Sequence, residues 1–508
     1  MLPIPDIDWP EVARPERLED IIRWSAAELS AAIRSRAVTC VEVMTAYLDR
    51  IELVNPRVNA ITRLRPRDEL LAEAAEKDRL LRAGSVQGWM HGFPHAVKDL
   101  ADVADWQTSY GFFHPGETPP AVADAIFVER IRAAGAIFIG RTNTPEFGLG
   151  SHTYNRVFGT TGNAYDPARS AGGSSGGAAV AVALHLLPVA DGSDFMGSLR
   201  NPPGWNNVYG LRPSTGRVPG TGEQFVHLGG VEGPIARTVQ DLALLLSTMA
   251  GYDDRAPLSV REDPLSLASV APRAPGETRI AWLGDLGGYL PMEPEVLAVT
   301  EAAVARFEAA GAEVRSIADL PAHGAFGGAR DLWPLWLAYR HAATAANLGD
   351  LLAHPEFGPR LKPEAVFEIE GALGSAGSAQ GVPPMPVQQF SRASAVRSDL
   401  YEAFRGLFDE VDVVLLPTAQ IFPFDAALHW PTSVAGRAMD TYHRWMEVTT
   451  LGTLLGAPTA ALPAGFSATG LPIGVQAIGR NHGEHELLAF AAAWEAVQPF
   501  GATLPPEA

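Results

Sequence analysis

The chain has 508 residues, of which 47% are hydrophobic and only 19% are charged. This composition is typical of a globular protein with a well-buried core and excludes a disordered or fibrous chain. The formal net charge of −19 argues against direct binding to nucleic acid or an anionic membrane, since both attract clusters of Lys and Arg. The length favours roughly two to four domains, although large α/β enzymes often form one body.

Cysteine usage and the N-terminal sequence both favour a cytoplasmic protein. The single cysteine, Cys40, excludes an internal disulfide framework and fits a reducing compartment; we interpret it as a small buried side chain in a helix. The first residues are acidic and lack the basic region that opens a signal peptide. The longest nearly apolar run, 178–190, is shorter than the ~20 residues of a bilayer span. We expect a cytoplasmic monomer or homodimer with no membrane partner.

The first part of the chain, 1–85, has the pattern of a helical segment packed on a core. Two capping boxes, in each of which a Ser or Thr precedes a Glu by three positions, open apolar-periodic stretches. A third helix is predicted over 67–82, ended by Gly84. The two capping pairs are Ser25 with Glu28 and Thr39 with Glu42.

After residue 85, short apolar runs alternate with helical patterns. Repeated alternation of this kind predicts an α/β fold in which helices cover both faces of a sheet. The predicted strands are 93–98, 136–139, 188–190, 279–283, 313–317, 411–416 and the strand region 462–478. The predicted helices are 121–134, 175–186, 238–250, 294–310 and 484–497.

Two serine clusters in glycine-rich turns carry the chemistry of the sequence. The first is 172–177 (GGSSGG), the second is 194–200 (DFMGSLR), and Lys98 ends an apolar strand upstream. The first cluster lacks the Lys-Ser/Thr that follows a phosphate-binding loop. A serine is a poor nucleophile without a base, and no histidine lies in a nucleophile-elbow motif. A desolvated, neutral lysine can serve instead, whereas pairing of Lys98 with Asp99 is the structural alternative.

With these residues the chain resembles the amidase signature family, whose relay consists of a lysine and two serines. Ser174 and Ser198 are 24 positions apart and Lys98 precedes Ser174 by 76, both close to the family spacing. The resemblance extends over about 25–497 and implies a single large body around a central mixed β-sheet covered by helices. The signature core would occupy 86–250, and 251–508 would complete the same body. Five further segments agree with the family pattern: 140–147, 162–167, 210–214, 233–238 and 471–479.

The resemblance implies a role for each site residue, in a centre that needs no metal or cofactor. Ser198 would be the nucleophile, Ser174 the bridging acid/base after a cis Gly173–Ser174 peptide, and Lys98 the base of the relay. The backbone N–H groups of Phe195, Met196, Gly197 and Ser198 would form the oxyanion hole. The supporting residues would be Ser175, which hydrogen-bonds the relay, and Asp194 and Arg200, which pair to hold the loop.

Met196 departs from the family pattern, which commonly has glycine directly before Gly197. If position 196 required a positive φ, methionine would be strained there. Its side chain would also project near the acyl pocket and reshape the substrate preference.

Aromatic residues in the variable segments 320–390 and 420–447 bear on the substrate. They favour apolar or aryl amides and anilides, and also aryl carbamates (urethanes) or esters, as substrates of a hydrolase of linear amides or carbamates. Packing in helix cores is the alternative role for most of them. The aromatic residues predicted in the pocket are Trp333, Trp336, Tyr442 and Trp445.

Other functions stay open at this point. One alternative is the glutamine-hydrolysing component of an amidotransferase, and a remote one is a non-catalytic binding protein on the same fold. His482 and His485 offer a weak metal motif, although their segment fits the start of the last helix better. The Gly/Pro-rich stretch 374–386 is either a lid or a plain connection.

Overall fold

The computed structural model describes residues 3–220, 229–375, 381, 383–498, 500 and 503–506. Over these residues the α-helices are α1 (Ala26–Ser35), α2 (Cys40–Val58), α3 (Arg67–Arg82), α4 (Ile126–Ala133), α5 (Gly176–Ala183), α6 (Asn201–Trp205), α7 (Val239–Met249), α8 (Pro294–Ala309), α9 (Leu332–Ala353), α10 (Pro363–Leu373), α11 (Val387–Glu410), α12 (Thr450–Leu455) and α13 (Glu484–Val497). The strands are β1 (Ile61–Thr62), β2 (Pro94–Lys98), β3 (Ile137–Thr142), β4 (Tyr154–Asn155), β5 (Gly159–Thr160), β6 (Val189–Asp194), β7 (Tyr209–Arg212), β8 (Val231–Ala236), β9 (Arg279–Trp282), β10 (Glu313–Ser316), β11 (Val413–Pro417), β12 (Ser433–Val434), β13 (Arg437–Ala438), β14 (Thr459–Phe466) and β15 (Pro472–Ile478).

A large mixed sheet forms the centre of the molecule, as predicted. In the described part of the chain it has eight strands in the order β10-β9-β11-β15-β14-β7-β8-β6. The pairs of β9 with β10 and with β11 are parallel, whereas the remaining pairs are antiparallel. Helices flank this sheet, and the prediction of a single α/β body around it is confirmed.

The strand that carries Lys98 lies outside the central sheet, which the sequence did not indicate. It belongs to a smaller sheet of order β1-β3-β2, in which β2 and β3 are parallel. Helix α5 contacts strands of both sheets and lies between them. Its small side chains allow this close approach: a Cβ at Gly177 would lie 2.4 Å from the backbone nitrogen of Asn143.

Local sequence signals locate the ends of several helices correctly, although α6 and α9 to α12 were not predicted. Both predicted capping boxes are present, at the starts of α1 and α2, and α3 and α13 have the predicted bounds. The prediction of a helix over 121–134 is wrong in its first turn, because α4 begins only at Ile126. Ala121 instead makes a bridge to Ala104, and the Asp124 carboxylate accepts the Ala104 N–H at 2.7 Å, so tertiary contacts hold this segment extended.

Two further predictions concern burial and a surface loop. Cys40 is the first residue of α2 and is completely buried, as expected. Residues 376–380 and 382 of the predicted lid or connection lie outside the described residues. None of the helices within the described ranges is long and apolar enough to cross a bilayer.

Candidate active site

Lys98 forms the centre of a buried cluster of hydroxyl groups. Its Nζ lies 2.8 Å from each of the hydroxyl oxygens of Ser174, Ser175 and Ser193. The side chain reaches them from the last position of β2, Ser174 and Ser175 directly precede α5, and Ser193 lies on β6. Two sheets and the helix between them therefore meet at this amine.

Burial controls the charge of Lys98. It disfavours the ammonium form and lowers the pKa of Lys98 to about 8, against the opposing effect of the carboxyl groups of Glu232, Asp191 and Asp194. Glu232 lies directly opposite Ser193 in the ladder between β8 and β6. Asp191 accepts the backbone N–H of Lys98 at 3.1 Å. A lysine with this pKa is partly neutral near neutral pH, as a general base must be.

Asp99 does not neutralise the Lys98 amine, which was the structural alternative. Its carboxylate instead accepts from the backbone and hydroxyl of Ser109 and lies 3.6 Å from Arg141 Nε. These partners leave Asp99 with a structural role beside the strand end.

The first serine cluster has the backbone expected from the family resemblance. The Gly173–Ser174 peptide bond is cis, which confirms that prediction. Gly172 has a φ of 77°, and a Cβ at Gly173 would lie 2.8 Å from the backbone nitrogen of His152. Because the backbone at His152 approaches so closely, position 173 requires glycine.

The second serine cluster is held by a buried network of ion pairs. Asp194 accepts a two-point contact from Arg200, at 2.9 and 3.0 Å, which confirms the predicted pairing. Sequence reasoning missed Arg212, which donates to the Asp194 carbonyl at 2.7 Å and contacts its carboxylate at 3.2 Å. All three side chains are fully buried. Burial disfavours the Asp194 carboxylate, but the two guanidinium groups outweigh it and hold the pKa of Asp194 well below its usual range.

Two details of this loop change the expectations for its backbone. The Gly197 N–H donates to Asp194 Oδ1 at 3.0 Å, so this predicted oxyanion-hole donor already has a carboxylate partner. The left-handed conformation falls on Gly197, with a φ of 89°, and Met196 is not among the residues with positive φ. The strain considered for Met196 therefore does not arise.

A cavity of about 630 Å³ opens onto both serine clusters. Ser174 and Ser198 line it together with Ser193, Phe195 and Met196. Part of its lining is apolar and aromatic, and one face of helix α9 forms another part. The apolar wall consists of Leu100, Tyr110, Phe113, Phe147 and Leu149.

The structure separates the predicted pocket aromatics into two groups. Tyr442 lines the cavity, as Met196 does, but Trp333, Trp336 and Trp445 are not part of its lining. The rings of Trp445 and Trp205 stack in the core with their centroids 5.5 Å apart. The ring of Trp336 packs against that of Phe195, also with 5.5 Å between the centroids. For these three tryptophans the helix-core alternative was correct. In their place the cavity is lined by Arg340 and His443, which sequence reasoning missed.

The segment around His482 and His485 forms the start of α13. Glu484, the first residue of that helix, accepts the Ser214 N–H at 2.7 Å and pairs with Arg217 at 2.8 Å. Within the ranges that the structure describes there is no cluster of three His, Cys, Asp or Glu residues able to hold a metal ion.

Comparison with known proteins assigns the chain to a family of hydrolases that act on amides. A family model described as amidase matches residues 42–488, and the chain belongs to the amidase signature family. It is 34% identical to an acylamidase of Rhodococcus erythropolis, over 95% of this chain and 97% of that protein. It is 32% identical to the A component of the glutamyl-tRNA(Gln) amidotransferase of Thermosynechococcus vestitus, over 93% and 98%. A bacterial aryl acylamidase structure superimposes with a TM-score of 0.82 at 28% identity, over 95% of this chain and 99% of that one.

Proposed function

We propose that the protein is a serine amidase in which Lys98, Ser174 and Ser198 form a proton relay. One observation carries the proposal: the buried Lys98 amine lies 2.8 Å from the Ser174 hydroxyl, in the wall of the cavity that Ser198 also lines. The lowered pKa of Lys98 supports its role as a base.

In this mechanism neutral Lys98 accepts the Ser174 proton while Ser174 accepts the Ser198 proton, and Ser198 Oγ attacks the amide carbonyl. The C–N bond then breaks as the relay returns a proton to the leaving amine, which leaves an acyl-enzyme on Ser198. Water, deprotonated by the same relay, attacks the ester and releases the acid. Each half-reaction ends with Lys98 neutral again.

The oxyanion would be held by backbone N–H groups of the loop that Asp194 and Arg200 fix. Because the Gly197 N–H has Asp194 as its partner, we assign the hole to the N–H groups of Phe195, Met196 and Ser198. The buried ion pairs would keep these donors in place before the substrate binds.

The substrate we propose is an amide with an apolar or aryl group. The apolar wall of the cavity supports this choice, because it can bury such a group, and so does the similarity to an acylamidase and an aryl acylamidase. Aryl carbamates and esters would react through the same kind of covalent intermediate on Ser198, so the relative hydrolysis rates show which substrate class the enzyme prefers.

The test is a hydrolysis panel combined with capture of the intermediate. The purified protein is offered anilides, primary amides, aryl carbamates and aryl esters, then quenched in acid and mapped by peptide mass spectrometry. We expect anilide hydrolysis and an acyl adduct on the peptide that contains Ser198. An adduct on another residue, or turnover without any adduct under burst conditions, would contradict the relay.

A second candidate is the glutaminase component of an amidotransferase, favoured by the 32% identity to such a protein. That function requires a stable partner and ammonia release from glutamine. Size-exclusion chromatography with light scattering and a glutaminase assay separate the candidates. A homomeric protein that hydrolyses anilides and leaves glutamine intact supports the amidase.

Changing Glu232 should shift the pH dependence of the reaction. Burial raises the pKa of Glu232 to about 8, so this carboxyl and the Lys98 amine titrate in the same pH range. Where it is charged, Glu232 raises the pKa of Lys98, so Glu232→Gln is expected to lower the pKa of Lys98. The acid limb of kcat/KM should then move to lower pH, by less than about 1 unit because Glu232 is partly protonated on that limb. Rates from pH 5 to 10 measure the shift, with Glu495→Gln as the control, since Glu495 is a half-buried carboxyl on α13 that accepts the Val239 N–H. An unmoved limb, or a shift to higher pH, would count against coupling of Glu232 to Lys98.

A further inference from the structure

One face of helix α9 lines the cavity and changes character along its length. The lining residues recur every three or four positions, so they share a face of the helix. Arg340 belongs to this face, and beside it Tyr442 and His443 complete what we call the polar wall. The α9 residues that line the cavity include Arg340, Ala343, Thr344, Asn347, Leu348 and Leu351.

Arg340 is held firmly and its charge is balanced. Its guanidinium contacts Glu368 Oε1 through Nε at 3.4 Å and lies 4.9 Å above the ring of Phe195. Tyr442 donates its hydroxyl to the same Glu368 oxygen at 2.7 Å and lies 3.4 Å from Arg340 Nη2. Because one carboxylate faces one guanidinium, this part of the polar wall has no net charge.

His443 adds a neutral polar group with unused hydrogen-bonding capacity. Burial disfavours its charged form and lowers the pKa of His443 to about 3, so the ring is neutral at neutral pH. Neither ring nitrogen has a hydrogen-bond partner among the described residues, although Nε2 lies 3.5 Å from Glu368. A buried polar group without a partner costs about 1–3 kcal/mol, which favours a ligand that supplies one.

The charge balance limits what this wall can bind. A carboxylate on the substrate would meet cations that already have carboxylate partners, Arg340 with Glu368 and Lys362 with Glu364, and Asp350 on the same cavity lining would repel it. A neutral oxygen acceptor meets the N–H donors of Arg340 and His443 without any charge to compensate. Such donors discriminate strongly against an analogue that lacks the acceptor, since they are then left unpaired.

We propose that Arg340 and His443 donate hydrogen bonds to a neutral oxygen acceptor of the substrate, such as a ketone, ether or ester oxygen, and that Arg340 determines this specificity. The proposal rests on the proposed amidase function and adds the polar part of the substrate. The apolar wall would bury one end of the amide, and the polar wall would recognise an oxygen on the other.

The experiment compares substrates of matched shape on both sides of the scissile bond. On the acyl side, the 4-nitroanilide of 4-oxopentanoic acid is compared with those of 4-methylpentanoic acid and of succinic acid. On the amine side, N-acetyl-4-methoxybenzylamine is compared with N-acetyl-4-ethylbenzylamine. We expect the oxygen-bearing neutral substrate to have a kcat/KM at least about tenfold higher than its hydrocarbon match in one of the series, as a hydrogen bond to a charged group is typically worth that much or more. The succinyl compound should be poorer than the ketone.

The matched variant is Arg340→Met, which keeps the aliphatic stem and removes the donors. We expect the ratio of kcat/KM for the oxygen-bearing substrate to kcat/KM for its hydrocarbon match to fall to within about threefold of unity in this variant. The double variant Arg340→Met, Glu368→Gln removes the buried carboxylate left by the first change, and serves if the single variant folds poorly. No preference in either series, an unchanged preference in the variants, or a preferred succinyl substrate overturns the proposal. If the unaltered enzyme hydrolyses none of these amides, the proposed function itself fails.

Discussion

Replacement of Ser198 by alanine is expected to lower kcat for an anilide by at least about 10⁴-fold, because the nucleophile of the proposed relay is removed. The adduct seen by mass spectrometry should disappear as well. Substrate binding should change little, since Ser198 is one of many residues that line the cavity. Steady-state kinetics and binding of a substrate to the inactive variant measure the two effects separately.

The control for Ser198→Ala is Ser398→Ala, a hydroxyl deletion on an exposed turn of α11 whose Oγ donates to the Ser394 carbonyl. This variant should keep its activity. If Ser198→Ala retained more than a few per cent of the wild-type rate, another residue would have to be the nucleophile.

Replacement of Asp194 by asparagine is expected to lower the free energy of unfolding by about 3–5 kcal/mol, because it leaves two buried guanidinium groups without their carboxylate. The lowered pKa of Asp194 determines how its contribution to the free energy of unfolding changes with pH. A carboxyl whose pKa is lowered by folding stabilises the protein above its unfolded value of about 4, and this contribution is lost as the pH falls below that value. The difference in the free energy of unfolding between the unaltered protein and Asp194→Asn should therefore be greatest near neutral pH.

Thermal midpoints at a fixed scan rate and the half-life of activity on heating measure the Asp194 effect, since a chain of this length often unfolds irreversibly. Glu76→Gln removes a carboxylate from an exposed pair with Arg79 and should leave both quantities unchanged. A midpoint for Asp194→Asn equal to that of Glu76→Gln would show that the buried network does not stabilise the fold.

Local patterns predicted the parts of this structure that depend on neighbouring residues. Capping boxes and apolar periodicity located α1, α2 and α13, since helix ends are determined by contacts within a few positions. The first turn predicted for α4 failed because tertiary hydrogen bonds replace it: Ala121 bonds to the backbone of Asp105 and Trp106, and the Asp124 carboxylate accepts the Ala104 N–H. Spacing and family resemblance indicated Lys98 and both serines, and the arrangement of Lys98 beside Ser174 agrees with them.

The residues that sequence reasoning missed act through tertiary contacts. Arg212 lies in one of the matching segments, but nothing local indicates that it reaches Asp194. Arg340 lies on the apolar helix α9, where the sequence gives no reason for a buried guanidinium. Its charge is balanced by Glu368 on α10, a contact that appears only in the folded structure. The prediction for the tryptophans was wrong because an aromatic residue in a variable segment fits a core as well as a cavity wall. All four predicted aromatic residues are buried, and only their position relative to the cavity separates Tyr442 from the three tryptophans.

The position of helix α5 between the two sheets has a consequence for how activity relates to folding. In the proposed relay the base comes from the small sheet, the nucleophile follows a strand of the central sheet, and the bridging serine precedes the helix that both sheets contact. A displacement of one sheet against the other would break the hydrogen bonds of the Lys98 N–H and of His95 Nε2 with Asp191 that join them, although each sheet would keep its own strand pairing. The relay would then lose its alignment although the secondary structure stayed intact, so the catalytic rate reports how the two halves of the molecule are docked.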